Sequence, residues 1–453
     1  MSAPTAHEPQ ALPSTRYAHA VLAVMVLMYT CNYLDRFVLT IMIRDIKADL
    51  GISDTMVGFL IGPAFAFFYT ACGVPIARWA DVGSRRSIIA LGMTVWSGFT
   101  AASGMVTSAA QLAVARIGVG VGEAAGAAPA HSLLSDYFPP NRRATALAVF
   151  QGGVYFGSML GLVIGGLLVG PVGWRRTFLI VGLPGLLIAL VVRFFVREPV
   201  RGQFDRPDVT ATTGARGTGD PEATPGAPAT RMEGGTGLVD VARHLGRKPT
   251  FWLVAIGAGI ASFAGTGYGM WMPTFLERVH DLPRSEIGVR FGLIQYIPAF
   301  IGSILNGRIA DWAGARDMRW YAGVGAIAVA LTIPFMTLQL LWPDGRQAIY
   351  WSIPSALCGA GWAPIAYGLA QNLAPPHMRA VASSFIIVFI TFLGTGLGPW
   401  AVGFVNDRLT PEYGDLAIRW SMLGVLWTCW LGVLLFALAA RTIRRDMEIP
   451  SGY

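Results

Sequence analysis

Apolar stretches of about 20 residues recur along almost the whole chain, separated by short polar segments in which arginines gather. That length matches a helix crossing a hydrocarbon core of roughly 30 Å. Lipid leaves backbone N–H and C=O groups no other partner, so such stretches read as helices. Six windows fall in the first half, at 17–43, 56–79, 87–106, 112–137, 144–169 and 177–196. Six more follow at 251–276, 287–310, 321–341, 349–373, 381–405 and 417–440. The pattern predicts an all-α integral membrane protein of 12 transmembrane helices in two six-helix bundles, 17–197 and 250–441, with tails at 1–16 and 442–453. The connector, 198–249, is dominated from 210 to 237 by Gly, Thr, Ala and Pro, a composition that cannot bury a core. Within 237–247, Leu238, Val241 and Leu245 are spaced by three and four, as in a short amphipathic helix on the membrane face. The first 16 residues lack an apolar stretch followed by a cleavage site, so the first helix is expected to stay as a span.

Composition agrees with this reading. Apolar residues make up 54% and charged residues 13% of the chain, against about a quarter charged in soluble domains. The net charge of +8 is carried by scattered arginines, with only Lys47 and Lys248 as lysines, and no basic stripe interleaved with aromatics exists for nucleic acid. Cys31, Cys72, Cys358 and Cys429 all lie in apolar windows and read as small buried hydrophobes rather than a disulfide framework. A Gly-x-x-x-x-Gly-Lys-Ser/Thr loop is absent, and neither a nucleophile–base motif nor a His/Cys cluster stands out. No enzyme activity, cofactor or metal is expected.

Arginines set the expected orientation. Arg85, Arg86, Arg142, Arg143, Arg197, Arg201, Arg316, Arg319, Arg379, Arg441, Arg444 and Arg445 fall on alternate connections and the C-terminal tail. Around Arg44 and Lys47 the opposite side is mixed with Asp45, Asp49 and Asp54, and Arg175 with Arg176 is an exception. Both termini and the connector are therefore expected in the cytoplasm. Arginine use and alanine richness point to a bacterial inner membrane, with a monomer as the expected unit. Two internal repeats support parallel halves. Ala77-Arg78-Trp79-Ala80-Asp81 with Arg85-Arg86 answers to Gly307-Arg308-Ile309-Ala310-Asp311 with Arg316, 230 residues on. Pro139 to Ala146 answers to Pro375 to Ala382, 236 residues on.

The acid-and-arginine loops after the second and eighth spans are similar to the signature loop of the major facilitator superfamily. The resemblance implies that fold, and it implies that Asp81, Arg85, Asp311 and Arg316 form a cytoplasmic gate that ties helices together when the transporter faces outward. Ser84 stands where a glycine is usual in the first copy. Within the superfamily, Asn32-Tyr33-Leu34-Asp35-Arg36, Arg116 with Gly120-Val121-Gly122-Glu123-Ala124, and Val196-Arg197-Glu198-Pro199 resemble the spinster (sphingolipid-transporter) branch. Organic-anion symporters share the first two.

Charged groups near a bilayer centre cost roughly 2.5 kcal/mol or more, so each needs a reason. Asp35 and Arg36 lie about two-thirds along the first span, and neighbours on a helix point about 100° apart. They cannot simply neutralise each other, so at least one faces a cavity or another helix. Arg116 and Glu123, seven residues apart, return to within about 20° of one face. Asp35 and Glu123 are thus candidate proton carriers. Arg36 and Arg116 are their switching partners or anchors for an anionic head. The same four residues read otherwise as a fixed ion-pair network between the first and fourth spans. His131 reads as a structural group before a proton relay. Gln151, Gln295 and Asn306 read as interhelical hydrogen-bonding groups first and substrate contacts second.

Spans seven, ten and eleven carry aromatics in place of mid-membrane charge: Tyr268, Trp271, Trp362, Tyr367, Phe385, Phe389 and Phe392. With Asn32, Tyr33 and Tyr155, the residues Tyr268, Trp271 and Trp362 are candidate cavity linings, though aromatics also face lipid. A cavity charged on one wall and aromatic on the other suits an amphipathic molecule such as a lysolipid or sphingoid phosphate. The expected function is proton-coupled secondary transport of such a lipid-like substrate, with protons and membrane lipids as the other partners. Symport of small organic anions such as sugar acids, or a non-transporting membrane sensor, are the alternatives.

Overall fold

The computed structural model describes residues 14–204, 243–374 and 379–448. Among these every regular element is helical. The spans are α1 (Thr15–Ile41), α2 (Asp54–Val82) and α3 (Arg85–Met105). Next come α4 (Ala109–Glu123 with Ala127–Tyr137) and α5 with α6, one helix Pro140–Phe195 that breaks at Gly173, whose φ of 78° suits glycine alone. The second half holds α7 (Pro249–His280), α8 (Arg284–Gly314), α9 (Arg319–Leu341) and α10 (Ser352–Gly359 with Trp362–Leu373). It ends with α11 (Arg379–Phe389, a π-helical Ile390–Leu397, and Gly398–Tyr413) and α12 (Ala417–Trp427 with Cys429–Glu448).

Eight stretches are long and apolar enough to count as spans outright. Two of these are fused pairs, and α4 and α10 escape the count only because each is broken near its middle, which restores the expected twelve. The sequence windows miss these breaks and place the end of α12 too early, since that helix runs on to Glu448. Ser53, Ser84 and Ser108 begin α2, α3 and α4, each side chain accepting an amide from its first turn. The expected amphipathic helix at 237–247, the low-complexity connector and the 375–378 part of the second repeat lie largely or wholly outside the described residues.

Small residues set the packing. On α5, Gly153, Gly157, Gly161 and Gly165 lie against α1 so closely that a side-chain carbon at Gly161 would sit 2.7 Å from the Leu34 carbonyl oxygen. The two helices therefore meet backbone to backbone. Buried apolar residues form one core that draws on both halves, from Val38, Leu60 and Phe178 to Trp271, Phe275 and Val402. Two further cores stay within single halves, one around Met25, Trp96 and Phe150, the other around Phe251, Ile365 and Phe436. The shared core lies at the end of the bundle away from the termini, called here the closed end. The separate cores lie toward the terminal end, so the halves part as the chain approaches its termini.

Candidate functional site

In the first half, α1 and α4 bring four charged side chains together. Asp35, Arg116 and Glu123 are 2%, 2% and 1% exposed. The Arg36 Nε donates to Glu123 Oε2 at 2.7 Å, and Nη2 stands 2.5 Å from the same oxygen. Three rings enclose the Arg36 guanidinium: Phe65 at 4.4 Å, Tyr33 at 4.8 Å and Tyr69 at 5.3 Å. Aromatic faces stabilise such a cation where water is excluded. Asp35 turns away from its neighbour and accepts from Thr100 Oγ1 on α3 at 3.1 Å. The 100° argument is thus realised: Asp35 faces α3 while Arg36 reaches α4.

Arg116 differs from Arg36. Its guanidinium lies 5.5 Å from the Phe65 ring centre, its Nε is buried without a partner, and among the described residues it makes no ion pair. Glu123 Oε1 and Asn32 Oδ1 are likewise buried and unpaired. Arg116 Nε and Glu123 Oε1 are therefore buried polar atoms of opposite character left without hydrogen bonds in one site, and each such atom calls for a partner. Close approach of α2 makes the arrangement possible, because a side-chain carbon at Gly120 would meet the Phe65 carbonyl oxygen at 2.6 Å. Glu123 ends the first piece of α4, and its carbonyl accepts from the Gly126 amide across the break.

The aromatic residues of the second half separate into two groups. Tyr268 and Trp271 are 2% and 0% exposed, and their polar atoms are used within the protein. Tyr268 donates to Gln339 Oε1 at 2.6 Å, and Trp271 Nε1 to the Pro399 carbonyl at 2.8 Å. Both sit in the core shared by the two halves. Tyr155 and Trp362, by contrast, border a cavity of about 240 Å³ between α7, α8, α9 and α10. Phe385 and Phe389 pack on Phe251 and Trp252, while Phe392 is 45% exposed. His131 packs edge-on against Phe150, and Asn306 joins α8 to α10 through the Leu357 carbonyl.

At the terminal end the two signature loops engage their own halves. Arg85 is buried and donates to Glu198 Oε1 at 2.7 Å, to Asp136 and to the Ser132 carbonyl. The Arg86 amide also donates to Glu198. Burial pushes the Glu198 carboxyl up, but that amide, the Arg85 guanidinium and the Ser84 hydroxyl outweigh it and hold it below the ordinary glutamate range. Asp81 is exposed. In the second copy Arg316 stacks on Trp312 at 3.7 Å, and Asp311 lies beside the Tyr321 hydroxyl. Among the described residues, none of the four makes a contact that bridges the halves.

The bridge lies at the closed end, where Lys47, Asp45 and Asp54 read in sequence only as a mixed-charge connection and Arg278, Asn406 and Asp407 are not singled out. Asp54 accepts from Lys47 at 2.8 Å, from both Arg278 terminal nitrogens at 2.7 and 3.2 Å, and from Asn406. Asp407 on α11 accepts from the Asp54 and Thr55 amides at 3.1 and 2.7 Å and from the Thr55 hydroxyl at 2.6 Å. The start of α2 is therefore capped by the opposite half. Arg284 forks onto Asp45 at 2.5 and 2.9 Å and reaches Glu277 at 2.7 Å. Gly58 rests on the Pro399 carbonyl, where a side-chain carbon would come within 2.6 Å. The partners that cross between the halves stand more than 220 positions apart, so no local spacing reveals them.

Comparison with known proteins supplies a context for this geometry. A family model described as the Major Facilitator Superfamily matches residues 25–399. The chain is 31% identical over 433 residues to an MFS-type efflux pump of Mycolicibacterium smegmatis, covering 95% of each. It is 26% identical over 410 residues to a probable L-galactonate transporter of Escherichia coli, covering 87% of this chain and 85% of that one. Among solved structures it resembles a bacterial homolog to the human lysosomal transporter Spinster in an inward-facing, unoccupied conformation. The TM-score there is 0.81 at 29% identity, over 97% of this chain and 100% of the other.

Proposed function

Since the chain belongs to the major facilitator superfamily, we propose that it is a proton-coupled secondary transporter of an amphipathic, lipid-like substrate. One observation carries the reading: the first half presents a buried, unpaired Arg116 beside the Arg36–Glu123 pair, while the second half presents an uncharged cavity. An anionic head fits the first wall and an apolar body the second.

The mechanism follows from the pairing. While the two stay paired, Arg36 favours the charged form of the Glu123 carboxyl. An anionic head that settles on Arg116 competes for Arg36, and a carboxylate released in a dry, ring-lined site takes up a proton. Proton and substrate are then coupled through one guanidinium. Asp35, held by the Thr100 hydroxyl rather than a cation, is the second proton carrier. The halves rock about this site. The state described here is closed by the Asp54 and Asp407 contacts and faces the terminal side, in keeping with its inward-facing structural relative. Asp81 and Arg316, exposed here, engage the opposite half when the terminal end closes. We place both termini in the cytoplasm of a bacterial inner membrane, with a monomer as the working unit. The description of the Mycolicibacterium relative as an efflux pump favours outward movement.

The Escherichia relative favours a second reading, symport of a small organic anion such as a sugar acid on Arg36 and Arg116. Counterflow in liposomes separates the two. Radiolabelled lysophosphatidic acid exchanging with unlabelled lipid, unaffected by galactonate, supports the first. Exchange of galactonate alone overturns it in favour of the second.

A further inference from the structure

Tyr33 and Tyr69 root their rings in the core of the first half, and Tyr367 roots its ring in the core of the second. Across the divide between those cores, the Tyr367 hydroxyl lies within electrostatic reach of both Tyr33 and Tyr69. Among the described residues it makes no hydrogen bond, and no carboxylate stands near enough to take its hydrogen. A gap that electrostatics crosses and a hydrogen bond does not is about one polar group wide, since a bridging group needs a hydrogen bond of about 2.7 Å on each side. The first-half wall of this gap is positively charged. The Arg36 guanidinium rests on the Tyr33 and Tyr69 rings, 4.8 and 5.3 Å from their centres, while α10 carries no charged residue from Ser352 to Leu373.

Close packing fixes Tyr367 to its own half. A side-chain carbon at Gly368 would come within 2.5 Å of the Tyr321 hydroxyl on α9, and one at Gly361 would collide with the Asn306 side chain on α8. Gly368 faces α9, so Tyr367, one residue earlier, points about 100° away from it. Whatever holds the Tyr367 hydroxyl therefore holds α10, and with it α8, the helix that carries Asp311. An unspent phenol donor opposite a guanidinium calls for an acceptor that both can share. We infer that Tyr367 is the second half's contact to the anionic head of the substrate. The head accepts from the Tyr367 hydroxyl on one side and from Arg36 with the Tyr33 or Tyr69 hydroxyl on the other, and so ties the halves together across the gap. The inference deepens the transport reading above and rests on it for an anionic substrate, whether lysolipid or sugar acid.

Binding of oleoyl lysophosphatidic acid and of galactonate is measured by calorimetry on the protein in nanodiscs, for the parent, Tyr367→Phe and Tyr350→Phe. Tyr350 is 54% exposed and lies before α10 at its far end, so its variant serves as the control. Tyr367→Phe keeps the ring that packs on the core, and its thermal unfolding is expected to match the parent. Its affinity for whichever anion the parent binds is expected to fall about tenfold, the worth of one hydrogen bond to a charged group. Tyr350→Phe should bind as the parent does. A 3-fluorotyrosine at position 367 reports the contact itself: its fluorine resonance should move as the anion binds and saturate at the calorimetric Kd. Affinity within twofold of the parent in Tyr367→Phe, or a fluorine resonance at 367 that ignores the anion, overturns the assignment and leaves the transport reading intact. A tenfold loss seen with galactonate alone sustains the assignment and sinks the lysolipid reading, whereas binding of neither anion overturns both.

Discussion

Removing the Asp407 carboxylate tests whether the closed end is held by a cap that crosses between the halves. Asp407 accepts two amides and one hydroxyl from the start of α2, and all three bonds are lost when the halves separate there. Each is worth about 1 kcal/mol net, since the freed groups return to water, and loss of a helix cap alone typically costs about 1 kcal/mol. Neighbouring contributions are not additive, so Asp407→Ala is expected to shift the balance by about 2 kcal/mol. That lowers the closed-to-open ratio at this end about thirtyfold. The assay is a pulsed electron–electron distance measurement between spin labels at Ala48 and Glu412, exposed positions on opposite halves of the closed end. The background carries replacements of the four cysteines. Asp407→Ala should add a longer-distance population that is minor in the parent protein. An unchanged distribution in a monodisperse, folded variant would refute the claim that these bonds set the equilibrium.

Further outcomes follow from the same contacts. Gly58→Val places atoms where the Pro399 carbonyl now sits, so it should displace the same distance distribution outward and reduce exchange by at least an order of magnitude. Arg116→Ala removes a buried guanidinium whose Nε has no hydrogen-bond partner. It should weaken an anionic lysolipid at least tenfold in a binding titration. For Glu198, whose carboxyl is held below its ordinary range in the folded state, the stabilisation is present above the unfolded value of about 4.3 and lost as pH falls through the lowered folded value. Thermal unfolding followed from pH 7 downward should therefore show a shallower acid decline in Glu198→Gln than in the parent.

The fold was legible because its two signals are chemically coarse. Windows such as 144–169 and 321–341 are apolar enough to require helix and lipid, and the paired Asp81 and Asp311 loops expose the duplication. The seven-residue step from Arg116 to Glu123 placed both in one buried site, but nothing in that spacing told which of two arginines would close on the carboxylate. The choice depends on the rings of Phe65 and Tyr69, which reach Arg36 from α2. Tyr268 and Trp271 carry the same apolar surroundings in sequence as Trp362. What separates them is whether Gln339 and the Pro399 carbonyl stand within reach. The closed-end latch escaped for a related reason. Asp45 and Asp54 look like ordinary solvated loop acids until Arg284, Arg278 and Asn406 arrive from the other half.

The central claim is that substrate binding hands a proton to Glu123 by drawing Arg36 away. Its most direct test is intravesicular pH in proteoliposomes, recorded as lysophosphatidic acid is added, for the parent protein and Glu123→Gln. Lipid-triggered proton movement in the parent, with lipid exchange but no proton movement in the variant, is the predicted result. Equal proton movement in both would contradict the account, and would make the Arg36–Glu123 pair a fixed tie between α1 and α4.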